Sequence, residues 1–138
     1  MLVARRLPTE QVVPLDVVLP AAPRSLGEVR SAMRRWLNAA HAPPEVTADL
    51  LVATGEACSN VVEHAYGPGG GTVTVRAGLE GGEVIVIVRD DGQWRSARGE
   101  GRGRGTTLMR QCCDEVDVAT GVAGTTVTLR RRLERGTV

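Results

Sequence analysis

The sequence predicts a single α/β domain folded as a two-layer sandwich, with helices on one face of a mixed, mostly antiparallel sheet. Three observations predict it. Two long stretches of helical apolar periodicity stand in the first half of the chain. Two pairs of β-type runs, each joined across a glycine-bearing turn, make up most of the rest. The length, 138 residues, suits one domain and suffices for a buried core.

The elements follow in order. Leu15–Leu19 reads as a strand, stopped by Pro20. Pro23 and Ser25 open a helix carrying Leu26, Val29, Met33, Trp36 and Leu37 at helical spacing, and His41-Ala42-Pro43-Pro44 ends it. A second helix runs from about Glu45 to Ala65. Gly67–Gly71 is a flexible turn. Thr72–Ala77 and Glu83–Arg89 form a hairpin over Gly81-Gly82, and the apolar run Val84–Val88 marks a central strand. Asp91–Arg104 lacks periodicity and reads as a mobile loop. Thr106–Cys113 reads as a short helix, and Val116–Ala119 and Thr125–Leu133 as strands around a Gly121–Gly124 turn.

Composition narrows the function classes. Aromatics are scarce, with Phe absent, so the core rests on Val, Leu, Ala and Ile, and stacking on single-stranded nucleic acid is disfavoured. A net charge of +1 supplies no global field toward nucleic acid or membrane. There is no apolar run of about 18 residues and no signal-peptide pattern. Cys58, Cys112 and Cys113 are odd in number and lack metal-ligand spacing, which points to reduced thiols and a cytoplasmic setting.

Four features carry chemistry. On the second helix Glu45, Asp49, Glu56, Asn60 and Glu63 fall within a narrow arc. A solvated face explains such a stripe, but Gly55 in mid-helix suggests close approach of another group. Glu56 and Asn60, one turn apart, can reach one bound group: a carboxylate offers a general base, an amide oxygen a hard ligand for Mg²⁺. Arg89-Asp90-Asp91-Gly92 follows the central strand; Asp90 there can accept a hydrogen bond from an adenine amino group, and Gly92 permits close backbone approach. A plain turn is the competing reading. Gly101–Thr107 leads into a helix; its glycine amides and the helix N-terminus suit phosphate, with Arg102 and Arg104 adding charge. It is neither a Rossmann fingerprint nor a Walker A loop. Gly124-Thr125-Thr126-Val127 alone is a turn entering a strand.

Order and spacing make these four features specific together. Glu56–Tyr66 resembles the N box of GHKL (Bergerat-fold) ATPases, in the form seen in bacterial anti-sigma factor serine kinases. Val88–Gly92 resembles their first glycine box, Gly103–Met109 with Asp114–Val116 their second, and Gly124–Val127 their closing element. The resemblance spans about residues 15–133 and implies a Bergerat-type ATP-binding fold. It implies that Asn60 holds Mg²⁺ on the ATP phosphates, that Glu56 is the base, and that Asp90 binds adenine with Thr125 and Gly92 beside it. It implies that Gly103, Arg104, Gly105 and Thr106 surround the phosphates under a lid. The implied substrate is a serine on a STAS-domain anti-anti-sigma protein; the implied partner is a sigma factor, and the implied assembly a homodimer. One position departs: Trp94 stands where a second glycine belongs, which bears on catalysis more than on fold.

Met1–Arg6 resembles the last strand of a PPM-type phosphatase domain. Residues 1–14 therefore read as an N-terminal extension, the tail of a preceding phosphatase, and residues 15–138 as the ATP-binding domain. With Trp94, this start supports the alternative of a non-catalytic ATP-binding regulatory domain within a multidomain phosphatase stress regulator.

Overall fold

Alternation decides which side of each strand is covered. The computed structural model describes residues 12–64, 71–91, 100–121 and 124–134. Its elements are β1 (Leu15–Pro20), α1 (Pro23–Ala39), α2 (Pro44–His64), β2 (Thr72–Glu80), β3 (Glu83–Asp90), α3 (Glu100–Cys112), β4 (Glu115–Gly121) and β5 (Gly124–Arg132). The strands form one sheet in the order β1-β2-β3-β5-β4. All four pairings are antiparallel, so the expected mixed, mostly antiparallel sheet has no parallel pair.

The register stacks Val75, Val88 and Val127 in one row and Ala77, Val86 and Leu129 in the next, all buried on the inner face. Against them lie Met33 and Leu37 of α1 and Val46, Leu50 and Val61 of α2. The outer face carries Thr74, Arg76, Ile85, Ile87 and Thr126, and no described element covers it. Ion pairs dress it: Arg76 with Asp16 at 3.6 Å, and Arg130 between Glu83 at 3.3 Å and Glu115 at 3.7 Å. At such exposure each is worth at most about 1 kcal/mol.

Local chemistry sets the boundaries. Pro23 occupies the first turn of α1, where its missing N–H costs nothing. The helix stops because His41 turns left-handed, at φ 60°. The Ala42 amide then bonds the Leu37 carbonyl and the His41 amide the Asn38 carbonyl, both at 3.0 Å, closing the helix end before the two prolines. Trp36 donates its indole N–H to the Val13 carbonyl at 2.8 Å and so ties the chain ahead of β1 to α1.

One boundary differs from the sequence reading. α3 begins at Glu100, so residues 100–104, expected in a loop, are helical. Glycine and arginine alternation gives no helical signal, but α3 packs along α2, and such packing supplies more helix stability than intrinsic propensity does. Residues 92–99, with Gly92 and Trp94, lie outside the described residues.

Candidate functional site

A buried ion pair orients the helix layer over the sheet. Arg131 faces inward on β5, 3% exposed at its side chain, and meets the Asp49 carboxylate at 3.0 and 3.1 Å. The first half of α2 is thereby fixed over the Arg131 end of β5. Asp49 is thus not the solvated residue the polar stripe suggested; its carboxylate neutralises a cation that would otherwise be stranded in the core. From Asp49 to Asn60 the helix advances about 16 Å. From Arg131 back to Thr125 the strand covers about 20 Å. Asn60 therefore sits over the opposite end of the sheet, where β3 ends.

Asp90 and Thr125 face each other there, paired across β3 and β5. Both are 2% exposed, and Asn60 is 9% exposed. The buried Thr125 hydroxyl has no hydrogen-bond partner. An orphan of this kind fits a ligand that supplies the missing partner.

Gly124 explains how β5 enters so close. It lies at φ 128°, and a Cβ there would fall 2.0 Å from the Asp90 carbonyl oxygen. Only glycine lets the two backbones meet at this spacing.

The third contributor is α3. Asp114 follows it; its amide bonds the Arg130 carbonyl at 2.8 Å, and its carboxylate accepts the Arg132 amide at 2.7 Å. The C-terminal end of α3 is thus clamped at the Arg131 end. Running about 20 Å along α2, the helix brings its first turn to the end holding Asn60, Asp90 and Thr125. There its unpaired amides and dipole favour an anion. In a helix begun at Glu100 the free amides are those of residues 100–103. Gly103 lies in this first stretch, Gly105 and Thr106 a turn further in.

Of the candidate residues, Asp90 and Thr125 pair directly across β3 and β5, and the lengths of α2 and α3 carry Asn60 and the start of α3 toward the same end of the sheet. Glu56 is half-buried one turn before Asn60, and it lines a groove shared with α1. Gly92 lies outside the described residues, and Arg104 is placed only by its helical backbone. Sequence reasoning missed Arg131, although β5 announces it: Thr125, Val127, Leu129 and Arg131 share one face, so a charge occupies an inward position.

The thiols are core groups. Burial pushes Cys58 up to about 12. Burial, reinforced by Cys112 and the Asp49 carboxylate, pushes Cys113 to about 12. All three cysteines are unpaired and buried. Among the described residues no three His, Cys, Asp or Glu side chains gather as metal ligands. No helix of the described chain is long and apolar enough to cross a membrane.

An antiparallel sheet under three helices, with Asp90 and Thr125 buried and paired at one end, defines a two-layer α/β fold. The sequence profile of the histidine kinase-like ATPase domain matches residues 19–131, and the chain belongs to that family. Within it, the chain is 31% identical over 147 aligned positions to the serine-protein kinase RsbW of Bacillus pumilus, covering 91% of this chain and 90% of that one. It is 34% identical over 79 residues to RsbW of Bacillus velezensis, an alignment spanning 56% of this chain and about half, 49%, of that relative. The crystal structure of the RsbU and RsbW domains of a Mycobacterium tuberculosis protein superposes with a TM-score of 0.75 at 32% identity. That match covers 90% of this chain and 33% of the other.

Proposed function

We propose that this domain is an ATP-dependent serine kinase that phosphorylates a STAS-domain anti-anti-sigma protein and sequesters a sigma factor. The observation that carries the proposal is the buried Asp90–Thr125 pair with its orphan hydroxyl at the end of β3, toward which the lengths of α2 and α3 carry Asn60 and the helix start. Asp90 accepts the adenine amino group and Thr125 satisfies its hydroxyl on the base. Asn60 would be the protein ligand for Mg²⁺, which would supply positive charge against the phosphates. The α3 amides, with Gly103, Arg104, Gly105 and Thr106, hold the phosphate chain.

In the transfer, the bond between the γ-phosphorus and the β–γ bridging oxygen breaks and a bond to the serine oxygen forms. The serine proton passes to the Glu56 carboxylate, and ADP leaves. The kinases named among the relatives support this reading. The Mycobacterium protein, in which an RsbW domain accompanies an RsbU domain, supports reading residues 1–14 as the tail of a preceding phosphatase domain. Self-association as a homodimer is part of the proposal.

The test is incubation with γ-labelled ATP, Mg²⁺ and STAS-domain proteins. Glu56→Gln should bind ATP normally and transfer label at least about a hundredfold more slowly, the range of a lost general base. The matched control is Glu45→Gln, on the same helix and exposed. Nucleotide binding without label on any STAS protein would instead favour a regulatory, non-catalytic domain.

A further inference from the structure

The helix layer holds a groove separate from the nucleotide end of the sheet. It lies between α1 and α2, with a volume of about 280 Å³. Val29, Met33, Leu51 and Cys58 form its buried apolar floor. Gly27 of α1 and Gly55 of α2 both line it, and a Cβ on either would meet nothing within 4 Å. Two exposed mid-helix glycines forgo helix propensity, and here they leave a trough open that ordinary side chains would fill. Thr54, 1% exposed, lines the groove with a hydroxyl that has no partner. Glu56 lines it too.

We infer that this groove docks the acceptor segment of the protein substrate: an acidic, extended stretch of chain whose serine reaches Glu56. The inference rests on the kinase reading above. Size favours a peptide. The volume lies just under the roughly 300–1,000 Å³ of sites that enclose a whole small molecule, and it takes one or two side chains. Polarity agrees. An extended chain brings unpaired backbone groups, and Thr54 offers them a partner without exposing the floor to water. Charge agrees as well. The exposed surface of α1 carries Arg24, Arg30, Arg34 and Arg35 against Glu28 alone, and none of the four arginines makes an ion pair among the described residues. Gly27, Arg30 and Arg34, at i, i+3 and i+7, share one face of the helix. An acidic partner segment is steered to that face. Glu56, common to groove and reaction, brings the acceptor hydroxyl to the base.

The test fills the groove and leaves the nucleotide end alone. Gly27→Leu and Gly55→Leu replace glycine with a strong helix former in open space, so both should keep or raise Tm. Gly27→Leu lies on α1, away from Glu56, and is the cleaner of the two. Each should raise KM for the STAS protein at least about tenfold while KM for ATP stays within about twofold. Arg30→Glu, a surface change that folding tolerates, should weaken partner binding strongly at low salt and less at high salt. A wild type that phosphorylates its STAS partner while all three variants match its KM overturns the groove and leaves the kinase standing. Loss of ATP affinity in Gly27→Leu, with KM for the protein unchanged, assigns the groove to a small molecule and likewise overturns it. A wild type that binds and phosphorylates no STAS protein overturns the kinase reading, and the groove with it.

Discussion

Replacing Gly124 with alanine puts a methyl carbon 2.0 Å from the Asp90 carbonyl oxygen and 3.0 Å from the Asp90 carbonyl carbon and the Asp91 Cα. All three atoms are backbone, so no side-chain rotation relieves the overlap. The φ of 128° adds a second penalty, because residues with a Cβ avoid it. A glycine-only conformation costs about 1–3 kcal/mol, and forced overpacking about 1–3 kcal/mol more. The sum, about 2–6 kcal/mol, is a large share of the roughly 5–15 kcal/mol that holds a domain together. For a chain of this length it lowers Tm by about 7–20 °C. The damage is also local. β5 must draw away from β3 where Asp90 pairs with Thr125, so ATP affinity in the folded variant should fall at least about tenfold. Thermal unfolding by circular dichroism reads the first effect and calorimetry at low temperature the second. Gly78→Ala is the control: a Cβ on that strand glycine meets nothing within 4 Å. A Gly124→Ala protein whose Tm lies within about 2 °C of wild type and which binds ATP normally would refute the close-approach argument.

Asp90→Asn should weaken ATP far more than inorganic triphosphate in competition calorimetry, because the lost contact is to the base; equal losses would point to a phosphate role. Asp49→Ala should cost about 3 kcal/mol in urea denaturation by stranding the buried Arg131 cation, and more than Arg131→Met, which leaves only a partly solvated carboxylate. His41→Gly should stabilise the fold by about 0.5–1 kcal/mol, since His41 holds a left-handed φ that glycine adopts without a Cβ penalty. Burial raises the folded-state values of Cys58 and Cys113 to about 12. Their contribution to stability is therefore whole below the ordinary thiol range and fades as pH climbs from about 9 toward 12, where the unfolded chain sheds protons that the folded one keeps. Thiol labelling at neutral pH should accordingly require unfolding.

The strands were legible because their chemistry is periodic. Val73, Val75 and Ala77 alternate with polar residues, and Val84–Val88 fills the middle of the sheet as its apolar run foretold. Helix α2 was legible from its stripe. The start of α3 was not, because Gly101–Gly105 has no apolar spacing and its three glycines outweigh its two arginines, and packing on α2 decides the matter. The Asp49–Arg131 pair joins residues far apart in sequence, so the polar stripe alone could not separate a bonded Asp49 from a solvated one. Gly124 looked like a turn residue; its restriction comes from a strand that is distant in the chain and adjacent in space. The α1–α2 groove arises from two glycines on different helices, which become a single feature only when the helices pack.

The strand order has a consequence for how the protein comes into being. β2 and β3 form a local hairpin, β4 and β5 another, and β5 must then slot between β3 and β4. Of all the elements, β5 is the last to leave the ribosome. Until it arrives, Asp90 has no Thr125 beside it, and β3 shows an open, strongly apolar edge of the kind that recruits other chains. A chain released before residue 124 thus lacks the Asp90–Thr125 pairing altogether and is not a weak version of the domain but an aggregation-prone half-sheet.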